Sequence, residues 1–131
     1  MSNDFITRNL AEAPDAIAPD GSEVRLLATT QRGSMAQFSL SAGGVSVAVC
    51  HRTVEEVWYF TSGRGRLWRK SRKAEETIDV YPGVSISIPV GTHFQFRCNG
   101  SEPLQAIGVT MPPWPGSDEA FVVTGIWNPV A

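Results

Sequence analysis

His51 and Glu56 are the side chains of this sequence best placed for chemistry. The first closes an alternating apolar run over 45–51, and the second opens another over 56–62. An imidazole and a carboxylate can act as base and acid toward a bound molecule, and burial tunes both. A hairpin joining the two runs would set them on one wall. Alternate residues of a strand share a face, so Val49 goes with His51, and Glu56 goes with Trp58 and Phe60. Phe94 and Phe96 share a face of a later run and can point the same way. The expected ligand pocket is therefore Val49, His51, Glu56, Trp58, Phe60, Phe94 and Phe96, with His51 and Glu56 as its catalytic candidates. One base, one acid and a large apolar area is the usual make-up of a small-molecule pocket. Plain core filling by the same rings competes with it.

The chain holds two histidines and two cysteines, which raises the question of zinc. Cys50 and His51 are neighbours on one run, and His93 and Cys98 differ in parity on another, so four ligands cannot converge. No CxxC pair is present, and both thiols are expected to be reduced. Ser62-Gly63-Arg64-Gly65 reads as a Gly-rich hairpin turn; no helix follows it, so it lacks the anion site of a phosphate-binding loop. Trp68 falls in a basic run. Trp114 and Trp127 fall in the C-terminal region, where a dimer interface and a pocket lid are both open readings.

The elements that must position these residues are short. Candidate strands cover 23–30, 35–41, 45–51, 56–62, 65–71, 76–81, 84–89, 93–98, 104–111 and 120–125, bounded by Gly, Pro, Ser and Asn. Ten such runs in 131 residues predict a single all-β domain, an antiparallel sandwich or barrel over 23–131, preceded by an arm or loop over 1–22. The Pro-rich stretch 112–119 suits a surface wrap. No apolar run reaches the ~20 residues of a membrane helix. The polar N-terminal stretch is unlike a signal peptide, so the expectation is a cytoplasmic protein without a membrane. Net charge is −2 and the pI near 5.6, which disfavours nucleic acid as a partner. Arg64, Arg66, Arg69, Lys70, Arg72 and Lys73 form a basic cluster, read as a solvated hairpin charged against edge pairing.

Two spaced motifs add a resemblance. Gly43 is followed by five residues, Val49-Cys50-His51, four residues, Glu56, six residues and Gly63. Gly83 is followed by five residues, Pro89, Gly91, two residues, Phe94, three residues and Cys98. This pattern resembles the cupin superfamily, which implies a jelly-roll barrel. In metal-binding cupins two histidines and a glutamate of the first motif, with a histidine of the second, hold one divalent ion. Here His51 and Glu56 match, while Val49 and Phe94 occupy the other two positions. The resemblance thus implies a small-molecule-binding cupin with no cofactor. The alternatives are a cupin enzyme and a closed barrel with a structural or interaction role. The enzyme would be a dioxygenase, or an isomerase or decarboxylase with Zn, Fe, Mn or Ni, or a metal-free acid–base catalyst. If a metal binds, His51 and Glu56 hold it, with His93 as third ligand through a one-residue bulge. The resemblance also implies a homodimer.

Overall fold

The computed structural model describes residues 5–130, so residues 1–4 of the expected arm and residue 131 lie outside it. Eleven strands run in chain order: β1 Ala16–Ile17, β2 Glu23–Thr29, β3 Ser34–Leu40, β4 Val49–His51, β5 Glu55–Ser62, β6 Gly65–Lys70, β7 Glu75–Val80, β8 Ser85–Ile88, β9 His93–Cys98, β10 Leu104–Met111 and β11 Ala120–Val122. They make two antiparallel sheets packed face to face, a jelly-roll sandwich. The order is β1-β2-β3-β10-β5-β8 in one sheet and β11-β4-β9-β6-β7 in the other. A 3-10 turn, Ser117–Glu119, precedes β11.

Alternation dictates what faces what. In β5, Glu56, Trp58 and Phe60 are buried while Glu55, Val57 and Tyr59 are exposed. In β10, Leu104, Ala106, Gly108 and Thr110 turn inward. Phe60, Leu67, Phe94, Phe96 and Leu104 are buried almost completely, and with Trp58 they form the core between the sheets. Fully burying one such side chain contributes about 1.5–3 kcal/mol, so this cluster is the main source of stability.

Two connections depart from the hairpins expected. Residues 52–54 and 63–64 each carry the chain from one sheet to the other, because β4 and β6 lie in the sheet opposite β5. Gly63 takes φ +82 at its corner, and a Cβ there would overlap the backbone of Pro103 and Leu104. Only glycine fits such a left-handed, close-packed position. Residues 45–48, expected as strand, make only single bridges at Val45, to Arg97 and Val130. The segment up to Ser22 is more than a loose arm. Its β1 adds an edge strand beside β2, Asp20 and Ser22 are buried, and Val47 N–H donates to the Asp20 carbonyl.

The second sheet is also covered on its outer face. Gln95, buried and facing outward, donates through Nε2 to the carbonyls of Ser46 and Trp127, both at 2.8 Å. Its Oε1 accepts from the N–H groups of Ile126 and Trp127, at 3.0 and 3.1 Å. One amide thus fastens the C-terminal stretch to the sheet.

Candidate functional site

His51 ends β4 and Glu56 lies second in β5, so they come from facing sheets and meet across the interior. The corner between them is held by Glu119. Its carboxylate accepts from Thr53 N–H at 2.6 Å, Thr53 Oγ1 at 2.7 Å and Val54 N–H at 2.9 Å. Burial favours the neutral acid, but these donors, with His51 nearby, outweigh it and lower the Glu119 pKa.

Glu56 Oε2 stands 3.1 Å from His51 Nδ1, and both residues are buried. The approach is out of line, leaving Nδ1 without an aligned hydrogen-bond partner. Glu56 Oε1 accepts from Trp58 Nε1–H at 3.2 Å. Burial pushes Glu56 up to about 8, against the pull of the Trp58 bond, and the carboxylate of Asp20 pushes the same way. Burial lowers His51, with Glu119 opposing. Burial thus disfavours the charged form of each partner, which works against an ion pair.

Both face a cavity of about 460 Å³, and Val49, Trp58 and Phe94 line it with them. Phe60 and Phe96, expected on its wall, sit behind it instead, packed against Trp58 at 6.0 and 5.2 Å between ring centroids. The sandwich is deep enough that only the first inward residues, Glu56 and Trp58 of β5 and Phe94 of β9, reach the open end. His51 lies edge-on to Phe94 and to Trp114, each at 5.2 Å, so Trp114 covers the pair. Trp127 is elsewhere, beneath Arg97 at 5.5 Å. Gly108 makes room for the floor: a Cβ there would press on Phe38 and Trp58, whose rings lie 5.1 Å apart.

Sequence reasoning missed Arg8, Asp20 and Thr110 among the cavity-lining residues, and Glu119 behind them, while Trp114 was left between a dimer interface and a pocket lid. Thr110 alone carried a signal, as an inward position directly opposite Glu56. Asp20, also pushed up by burial against the hydrogen bonds from Ser22, comes from a segment without periodicity.

The family model described as a cupin domain matches residues 36–110, more than half of the chain. The chain is a cupin. No curated protein matches it. Among solved structures, a Bacillus halodurans protein is 21% identical over 78% of this chain and 76% of its own, with a TM-score of 0.65. Oxalate decarboxylase from Bacillus subtilis is 16% identical with a TM-score of 0.66, covering 81% of this chain and 28% of that one. The capsular polysaccharide assembling protein CapF from Staphylococcus aureus is 18% identical with a TM-score of 0.64, covering 78% and 32%. This cupin thus spans about a third or less of the latter two chains. At these identities the likeness is one of fold.

The donor set of this cupin does not fit a resident divalent ion. Val49 and Phe94 stand opposite each other on β4 and β9, and neither carries a donor atom. β9 pairs with β4 and β6 without a bulge, so His93 stands opposite Cys50 and Lys70, on the face away from Phe94 and the cavity. Among the described residues no group of three or more His, Cys, Asp or Glu could hold a metal. Two donors fall short of the three protein ligands typical of catalytic sites.

Proposed function

We propose that this cupin binds a small molecule, with a largely apolar body against Trp58, Phe94 and Trp114 and an uncharged polar group at His51 and Glu56, and holds no metal tightly. The observation that carries this is the His51 Nδ1, without an aligned hydrogen-bond partner and buried 3.1 Å from the Glu56 carboxyl group, in a mostly apolar cavity of about 460 Å³. That volume lies in the ordinary range for ligand pockets. A closed, purely structural barrel would leave neither the space nor the orphan. The probe is para-hydroxyphenylethanol, whose two ends are both uncharged. Calorimetry should give saturable binding at millimolar concentrations, abolished by Ala120→Phe, which fills the cavity from β11. No saturable binding, or binding indifferent to the filled cavity, overturns the proposal.

A second reading is metal-free acid–base catalysis, favoured by a buried carboxyl group 3.1 Å from a buried imidazole. Such a pair can take a proton from carbon at one position of a ligand and return one from the other side. Alpha-hydroxyacetophenone in heavy water should then exchange its α-hydrogen faster with the natural protein than with Glu56→Gln; equal rates remove this reading. A metal-dependent enzyme using His51, Glu56 and His93 has the geometry of β9 against it.

We also propose a cytoplasmic homodimer that binds no nucleic acid. No helix among the described residues is long and apolar enough to cross a membrane. Cys50 and Cys98 are free thiols. Arg66 and Arg69 of the basic cluster pair with Asp79 at 3.2 Å and Glu76 at 2.6 Å, and Lys70 stands opposite Glu75. Half of the cluster therefore already faces acids.

A further inference from the structure

We infer that Arg8 selects the ligand, and that the molecule this cavity takes up is a carboxylate whose acid group lies at Arg8 while its other end reaches His51 and Glu56. The inference rests on the cavity being a binding site, and adds the class of molecule. Arg8 lines the same cavity as His51 and Glu56, and is the one guanidinium or ammonium group among the lining residues described. Six of the other eight arginines are engaged, and the remaining two, Arg32 and Arg72, do not line the cavity. Arg25, Arg66 and Arg69 are in ion pairs, and Arg52, Arg64 and Arg97 lie over Phe121, Tyr81 and Trp127. Arg8 has no ion-pair or ring partner among the described residues, although it borders an apolar space where an uncompensated charge attracts an anion.

The arm supports the same conclusion. Its first ties to the body are at Ala11 and Glu12, whose carbonyls accept from Arg25 at 2.9 and 2.8 Å. Arg8 lies upstream of both, where Phe5, Ile6 and Leu10 are exposed. It can settle on a ligand without breaking any described hydrogen bond. A single guanidinium matches a planar, singly charged carboxylate. An amine is less suited, because it carries the same charge as Arg8.

The test compares three probes sharing one hydroxyphenyl end: para-hydroxyphenylacetate, para-hydroxyphenylethanol and para-hydroxyphenylethylamine. At neutral pH and low salt, calorimetry on the full chain should show the acid binding about tenfold tighter than the alcohol, with the amine weakest. Arg8→Ala should bring the acid down to the level of the alcohol and leave the alcohol unchanged; Arg8→Lys should keep part of the preference. Arg8 is exposed, so both variants should melt as the natural protein does. If the alcohol binds but the acid gains nothing, or Arg8→Ala leaves the gain intact, or the amine binds best, the assignment to Arg8 falls and the cavity reading stands. If none of the three binds, both fall.

Discussion

With Glu56 pushed up to about 8, folding carries a proton across the neutral range. Between its ordinary 4.5 and about 8, the folded chain keeps a proton that the unfolded chain has released. Stability therefore falls as pH rises through that window and levels off beyond it. Asp20, also raised, acts in the same sense. His51, lowered, acts oppositely, but only below 6.5, where the unfolded chain takes up a proton that the folded one refuses. Glu119, lowered, loses its contribution only on the acid side of 4.5. From pH 6.5 to 8 the melting temperature should fall, and Glu56→Gln should flatten that fall. A flat or rising curve for the natural protein in thermal melts would mean that Glu56 ionises as an ordinary carboxylate. His51 and Glu56 were legible in the sequence because each sits in a run whose two-residue period assigns it a face. Arg8, Asp20 and Glu119 were not, because they come from irregular segments whose side-chain directions are set by tertiary contacts alone.

The strands β4 and β9 bring Val49 and Phe94 face to face, where the family's metal-binding members carry histidines. The natural protein should therefore purify with well under one divalent ion per chain. Val49→His together with Phe94→His should hold about one, as imidazole and carboxylate donors suit Zn, Fe, Mn or Ni. Either single variant should hold metal weakly. Elemental analysis of the four proteins decides it: a fully loaded natural protein contradicts the donor argument, and an empty double variant contradicts the register. At the corner between β4 and β5, Glu119→Ala strands two backbone N–H groups and a hydroxyl. The expected cost is about 2 kcal/mol in denaturant unfolding, with faster amide exchange at Thr53 and Val54. An unchanged midpoint would mean that water replaces the carboxylate without loss. Among the strands, β9 and β10 match their expected bounds, whereas β4 and β11 are shorter than expected and β1 fell in the expected arm. Which sheet each strand joins was not legible. A hairpin and a crossover need the same few residues, and only long-range pairing tells them apart.

The first sheet turns Met35, Val57, Tyr59, Ile107 and Val109 to its outer face, where Val57 and Tyr59 are about half exposed. A second copy is the proposed cover for this patch. Sedimentation should give a dimer at micromolar concentration, and Val57→Lys with Tyr59→Lys should give a monomer; a natural monomer ends the idea. The jelly roll as a whole was legible because ten alternating runs and two spaced motifs agree. The open end was not, since part of its lining comes from β1, which carries no alternating run. The Gln95 clamp bears on the order of events during synthesis. Its partners at 126–127, and the bridge between Val45 and Val130, join chain segments far apart in sequence. Until those late residues have left the ribosome, the second sheet keeps an uncovered polar face and a missing edge strand. The early strands must therefore wait, half built, and fold as one unit only after emergence.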